Sequence, residues 1–167
     1  MFESIKNIFK KTPPPEDKAV SKSTMELLDY IHLKPPHSPP KTDFNHPFVA
    51  VVIIDIELSD EWRHEVSEWL VETGCLYMMA WGKDCSLWDD AVDVVNLEAY
   101  DWKDIPDDKS IMTTWHDDES LEDVLWFATH SATHNSVPLN HLIILDITEN
   151  PRENSIRDLL FTAINDI

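Results

Sequence analysis

Glycine is nearly absent from this 167-residue chain, which contains only Gly74 and Gly82. The phosphate-binding loops of P-loop proteins and of dinucleotide-binding folds need several closely spaced glycines. Two isolated glycines cannot form either loop, so the sequence excludes both kinds of nucleotide site. We therefore expect the protein to work without a cofactor.

Cysteine is equally scarce, since Cys75 and Cys85 are the only two and they form no CxxC pair. Two thiols in a chain of this length do not make a disulfide framework. No apolar run is long enough to cross a bilayer, and the N-terminus has neither the apolar core nor the cleavage site of a secretory signal. These absences predict a soluble protein of the reducing cytoplasm.

Positive charge is also in short supply, with 13 Lys and Arg against 32 Asp and Glu and a formal net charge of −19. Such an excess of negative charge argues against direct binding of nucleic acid or of an anionic membrane by the folded region. Hydrophobic residues make up 43% of the chain, which is enough for a core, and the length suits one domain.

The chain divides near Pro47 into two regions of different composition. Residues 1–47 hold 8 of the 11 prolines and none of the 7 tryptophans, and their net charge is +1. Residues 48–167 have a net charge of −20. We therefore predict a Pro-rich N-terminal extension over 1–47 and an acidic domain over 48–167.

Two short helices are predicted within the extension. After a cap at Thr24, residues Met25 to Ile31 have apolar side chains at helical spacing. Residues 1–11 also have an apolar helical face, beside three lysines. That second segment is either a helix that docks on a membrane or a partner, or a frayed tail or a helix packed on its own domain. Any membrane contact is expected through residues 1–11 alone.

The acidic region alternates strand and helix patterns. Capping residues open the helices, among them Ser59, Ser86 with Asp89, Ser120 and Asn150. The predicted strands are Phe48–Ile56, Cys75–Trp81, Ile111–Trp115 and Leu142–Ile147. This alternation predicts a small three-layer, doubly wound α/β fold with a mainly parallel sheet of about four strands and helices on both faces. We expect the strand order second, first, third, fourth.

Ligand sites in such sheets lie beyond the carboxyl ends of the strands, where this chain places many acids. These carboxylates could hold Mg²⁺ or Mn²⁺ for a phosphoryl or phosphodiester hydrolysis. Alternatively, they lie at helix N-termini only because the helix dipole favours negative charge there. The candidate metal ligands are Asp55, Asp84, Asp118 and Asp146.

The same strand ends offer a thiol site. Cys85 lies between a strand and a helix N-terminus, where the dipole lowers a thiol pKa. His116 could act as its base, with Asp117 or Asp146 orienting the imidazole. The alternative is that Cys85 is a small buried residue beneath Trp88.

A histidine pair is a further candidate for metal binding. His130 and His134 are four residues apart, which on a helix would give them one face for Zn²⁺. Neither has an adjacent Glu, and histidines near a helix C-terminus are also favoured by the dipole.

Three strings carry a resemblance to a known family: GCLYMMAWGKDCSLWDD at Gly74–Asp90, MTTWHDDE at Met112–Glu119 and LWFATH at Leu125–His130. They resemble a bacterial family of uncharacterised small domains, over about residues 48–148. The resemblance implies a bacterial cytoplasmic protein, and it supplies no activity and no catalytic residues.

The leading functional prediction is a non-enzymatic, immunity- or inhibitor-like module that binds a basic partner protein through its acidic surface. The residues expected to carry it lie in one loop: Trp102, Asp104, Asp107 and Asp108. The first alternative is a hydrolase that uses the Asp, Cys and His groups at the strand ends, with or without a divalent metal. The second alternative is a mimic of nucleic acid.

Overall fold

The computed structural model describes residues 25–166, which form one five-stranded parallel sheet and four α-helices. Its strands are β1 Leu27–Leu33, β2 Phe48–Ile54, β3 Cys75–Gly82, β4 Met112–His116 and β5 His141–Ile147. Its helices are α1 Asp60–Thr73, α2 Ser86–Glu98, α3 Leu121–His130 and α4 Glu153–Asn165. The predicted α/β class with a parallel sheet is confirmed.

Strands β2 and β5 form the centre of the core. Every residue of Phe48–Ile54 and of His141–Ile147 is buried. Because successive side chains of a strand point to opposite faces, both faces of the sheet are covered at this point. Helix α1 packs against α2, and α3 packs against α4.

The helix predicted over Met25 to Ile31 is wrong, because Leu27–Leu33 forms the edge strand β1. This strand pairs in parallel with β5, from Leu27 beside His141 to Leu33 beside Ile147. Seven residues of β1 lie in register with β5, and a local apolar spacing cannot reveal such a long-range pairing. The helix predicted within residues 1–11 lies outside the described residues.

The predicted strand order is also wrong. The sheet has the order β1-β5-β2-β3-β4, so the fourth predicted strand lies beside the first rather than at the far edge. The connections through α1 and α2 place β3 and β4 successively to one side of β2, and the chain then returns through α3 to place β5 on the other side. This reversal of direction between β2 and β5 creates a topological switch point.

Several helix ends agree with the sequence. The Ser59 hydroxyl accepts a hydrogen bond from the Trp62 N–H at 3.2 Å, and Ser120 accepts one from Asp123 at 3.1 Å. Gly74 ends α1 at φ 106°, with its N–H bonded to the Leu70 carbonyl. Each group satisfies a backbone atom that the end of a helix leaves open.

Two other helix starts differ from prediction. Ser86 is the first helical residue of α2 rather than its cap, since Cys85 occupies the cap position without a side-chain hydrogen bond. Helix α4 begins at Glu153, and the cap position is Arg152 rather than Asn150. At Arg152 a tertiary contact, described below, replaces the local capping bond.

The Pro-rich segment over 34–47 contains neither helix nor strand and is held against α1 by two indoles. Trp62 Nε1 donates to the His37 carbonyl at 2.9 Å, and Trp69 Nε1 donates to the Pro40 carbonyl at 2.8 Å. Phe44 packs edge-on against the rings of Phe48, Trp69 and His141. The segment is thus part of the folded unit.

Candidate functional site

The carboxyl edge of the sheet, where the five strands end, holds a buried carboxylate at the switch point. Asp146 of β5 is fully buried and accepts hydrogen bonds from Arg152 Nε and Nη2 at 3.1–3.3 Å. The Tyr30 hydroxyl of β1 donates to Asp146 Oδ2 at 2.7 Å. Asp146, one of the predicted metal ligands, is therefore engaged in an internal network.

Tyr30 closes this network at its other side. Its hydroxyl also accepts a hydrogen bond from the backbone N–H of Arg152 at 3.0 Å. Burial and the neighbouring carboxylate of Asp146 raise the pKa of Tyr30 to about 12. Because each group in the triad has a partner, the triad joins β1, β5 and the start of α4, and this arrangement is typical of a structural lock.

The other predicted metal ligands are not gathered into a site. Asp55 is exposed, with a carboxylate oxygen 3.8 Å from Arg152 Nη1, whereas Asp84 is an exposed residue at φ 52° after β3. Asp118 is exposed after β4. Within residues 25–166, no group of three or more His, Cys, Asp or Glu side chains is arranged to hold a metal ion.

Within the predicted thiol site, the contact between His116 and Cys85 is made by the backbone of His116. The backbone of His116 donates a hydrogen bond to the Cys85 thiol, and the charge of Asp117 acts on the same sulfur. The pKa of Cys85 is raised rather than lowered, because burial outweighs these hydrogen bonds and Asp117 adds to the rise. The expectation of a dipole-activated thiolate is therefore wrong, and neutral pH leaves Cys85 as a thiol.

The His116 ring is buried between Thr114 and Glu119. Its Nε2 lies 3.0 Å from the Thr114 hydroxyl, and its Nδ1 lies 3.6 Å from Glu119 Oε1. Burial lowers the pKa of His116 to about 4, so the imidazole is neutral at physiological pH. Burial, followed by the hydrogen bond and charge of Asp118, raises the pKa of Glu119.

The histidine pair does not form a zinc site on one helix face. Helix α3 ends at His130, so His134 lies in the following loop. The ring of His130 stacks on Trp126 at a centroid distance of 4.9 Å, and His134 Nε2 contacts the Ser110 carbonyl at 2.7 Å. Each ring has its own partner, so the two histidines do not share one metal-binding helix face.

The opposite end of the sheet, its amino edge, holds the acidic loop over 99–110. Trp102 lies in this loop and is 62% exposed. The carboxylates of the loop are all exposed, at Asp101, Asp104, Asp107 and Asp108. No ion pair formed within residues 25–166 involves any of the four.

The backbone of the acidic loop is fixed at both ends. The Trp102 N–H donates to the Leu97 carbonyl at 2.9 Å, and Asp101 and Trp102 adopt left-handed conformations at φ 54° and 59°. At the other end, the buried Asn96 side chain bonds both the Lys109 carbonyl and the Ile111 N–H. The loop therefore presents Trp102 in a defined position.

An amino-edge groove of about 660 Å³ opens beside this loop. Tyr100 and Asp108 belong to both the loop and the groove lining. The predicted catalytic groups lie at the carboxyl edge, so the groove and those groups are at opposite ends of the sheet. No helix within residues 25–166 has the length and apolar character needed to cross a membrane.

Comparison with known proteins identifies the family. No curated protein and no solved structure matches the chain. A family model does match residues 28–163, which extends beyond the range of the sequence resemblance at both ends and includes most of β1. That match covers well over half of the chain, and the protein therefore belongs to the family described as a domain of unknown function, DUF7684.

Proposed function

We propose that this domain is a non-enzymatic interaction module that binds a basic partner protein through the acidic loop. The observation that carries the proposal is Trp102, a large aromatic side chain held 62% exposed among four exposed carboxylates. Exposed aromatic residues of this kind are enriched at the centres of protein interfaces. A cationic side chain of the partner would stack on the indole while the carboxylates attract it.

The fixed backbone of the loop supports this role. A loop that is already ordered loses little conformational entropy when it binds a partner. The hydrogen bonds from Trp102 to Leu97 and from Asn96 to both Lys109 and Ile111 supply that order. The left-handed conformation of Trp102 is a local cost that these bonds offset.

Helix α2, which leads into the loop, has exposed apolar side chains of its own. Leu87 and Val94 are seven residues apart and share one helical face, and they are 45% and 37% exposed. Asp90 is exposed on the same face. This helical face combines apolar contact area with negative charge, as a surface for a basic protein requires.

The charge balance of the fold favours the same partner class. Several of the cations within residues 25–166 already contact carboxylates, such as Arg63 with Asp60, Lys83 with Glu57 and Arg157 with Glu153. The net charge of these residues is negative, and this charge increases the association rate with a basic protein at low salt. Both cysteines are free thiols, and we place the protein in a reducing, cytoplasmic compartment.

The test is affinity capture from a lysate of the native host, with the 167-residue chain and two matched triple variants as bait. The loop variant carries Asp104→Asn, Asp107→Asn and Asp108→Asn. The control carries Asp43→Asn, Asp84→Asn and Asp158→Asn, which remove the same charge from exposed positions elsewhere. We expect a stoichiometric basic protein on the chain and on the control, and loss of that protein from the loop variant.

Two further measurements vary the ionic strength and remove the Trp102 side chain. Binding should weaken as ionic strength rises, and the loop variant should depend less on salt than the control does. Trp102→Ala should weaken binding about tenfold or more if the indole lies at the centre of the interface. Equal capture by the loop variant and the control would overturn the assignment to this loop.

A further inference from the structure

The amino-edge groove has walls suited to apolar side chains. It lies between the end of α1, the start of β3 and the acidic loop, and Glu72, Asp108 and Lys109 are its charged lining residues. Its larger apolar and aromatic lining residues include Phe44, Val71, Leu76, Tyr100, Ile111 and Val137. A volume of about 660 Å³ can take several side chains of a peptide.

The sequence of residues 1–11 complements this groove. Phe2, Ile5, Ile8 and Phe9 recur at helical spacing, and Lys6, Lys10 and Lys11 accompany them. Residues 1–24 hold five lysines against three acids, whereas residues 25–166 hold 8 Lys and Arg against 29 Asp and Glu. The segment therefore brings both apolar side chains and the charge that the rest of the chain lacks.

The chain enters the fold at the same edge as the groove. The Glu26 N–H donates to the Asn140 carbonyl at 2.8 Å, and β1 begins beside the first residue of β5. The start of β3 lies three strand positions away in the sheet, which is about 14 Å at the usual strand spacing. Residues 12–24 can span roughly 40 Å when extended, so the connection has ample length.

We propose that residues 1–11 dock in the amino-edge groove of their own chain and so regulate access to the acidic loop. This inference rests on the proposed function, because it concerns a competitor for the same surface. Tyr100 and Asp108 are shared by the groove and the loop, so the docked segment and a basic partner exclude one another. If the segment occupies the groove about nine-tenths of the time, the apparent dissociation constant of the partner rises about tenfold.

Zero-length cross-linking of the whole chain tests the docking directly. A carbodiimide joins a lysine amine to a carboxylate only when the two groups touch. We expect cross-links from Lys6, Lys10 or Lys11 to Glu72 or Asp108, identified by mass spectrometry of the monomer band. Mixing isotopically light and heavy chains separates links within one chain from links between two copies.

Two variants distinguish docking from general attraction. Ile5→Glu with Ile8→Glu should reduce these cross-links about tenfold, because an unpaired carboxylate is excluded from an apolar groove. Ala19→Glu with Val20→Glu adds the same charge in the connecting segment and should leave the cross-links nearly unchanged. Cross-links that scatter over other carboxylates, that join different copies, or that are equal in both variants would overturn the proposal.

The outcome separates this inference from the proposed function. If docking fails while the triple loop variant still loses its partner, the interaction module stands and its self-regulation is wrong. If docking holds while no partner depends on the loop, the proposed function is wrong and the groove is a site for the chain's own terminus. With both correct, Ile5→Glu with Ile8→Glu should also strengthen partner binding about tenfold.

Discussion

The carboxylate of Asp146 and the guanidinium of Arg152 form a paired contact across the switch point of the sheet, with three N–H···O distances of 3.1–3.3 Å. Asp146 is fully buried, while the Arg152 side chain is 32% exposed. Burial by itself would lower the pKa of Arg152, but the hydrogen bond and charge of Asp146 raise it on balance. The pair therefore fastens the start of α4 to the centre of the sheet.

Arg152→Ala should destabilise the fold by about 3 kcal/mol, because it leaves the buried Asp146 charge with Tyr30 as its remaining side-chain partner. Arg157→Ala is the control, since Arg157 makes an exposed pair with Glu153 one turn away on α4. That pair should contribute only about 0.3–0.5 kcal/mol. Urea unfolding of both variants measures the difference, and equal losses would show that the Asp146 contact is not a structural lock.

The two glycines allow a matched comparison. Gly82 has φ 105°, and a Cβ on it would lie 2.2 Å from the Ile54 carbonyl oxygen. Gly74 has φ 106°, but the nearest atom to its Cβ would be 3.8 Å away. Both positions are strained for alanine, and only the first also clashes with backbone.

Gly74→Ala should therefore cost about 1 kcal/mol of unfolding free energy. Gly82→Ala should cost about 3 kcal/mol or more, because strands β2 and β3 must separate to admit the methyl group. Thermal or urea unfolding of the two variants gives the ranking. A Gly82→Ala protein as stable as Gly74→Ala would contradict the close approach of β3 to Ile54.

The sequence predicted those features of the fold that local physics determines. The strand β2, the caps at Ser59 and Ser120 and the end of α1 at Gly74 each follow from neighbouring residues. Strand β1 was missed because its stability comes from pairing with β5, more than a hundred residues away. A short apolar run does not by itself distinguish a strand from a helix.

The candidate site shows the same limit. Tyr30 meets Asp146 only because the sheet order places β1 beside β5, and that order was predicted incorrectly. The one available signal was the scarcity of cations in residues 48–167. A buried acid needs a partner, and Arg152 is one of the few cationic residues that could supply it. For Cys85, the position at a helix start was correct, but burial decided the direction of its pKa shift.

Trp62 provides a test of how the Pro-rich segment is held. Trp62→Phe keeps an aromatic ring on α1 but removes the N–H that bonds the His37 carbonyl at 2.9 Å. We expect a loss of about 1 kcal/mol and faster hydrogen exchange and proteolysis within residues 34–44. Trp88→Phe is the control, because Trp88 Nε1 has no hydrogen-bond partner among the described residues. Equal protection of the segment in both variants would refute this role.

Asp89 in the first turn of α2 predicts a specific pH dependence. The residue is 2% exposed, and burial, with the charges of Asp90 and Asp93, raises the pKa of Asp89 to about 6. The pKa of an aspartate in the unfolded chain is about 4, so the folded state binds the proton more tightly. The resulting stabilisation is complete below about pH 4 and is lost as the pH rises through the folded value.

Asp89→Asn should therefore stabilise the protein by about 1–3 kcal/mol at about pH 8, where the native side chain is a buried charge. The gain should shrink toward about pH 5, where the native carboxyl is mostly protonated. Urea unfolding of both proteins at these two pH values, above the isoelectric point near 4.5, gives the difference. The native protein must be measured beside the variant at each pH because His116 also titrates. The pKa of His116 is lowered to about 4, so its contribution to stability rises with pH in both proteins, whereas that of Asp89 falls. A gain that does not depend on pH would show that ionisation of Asp89 does not destabilise the native state.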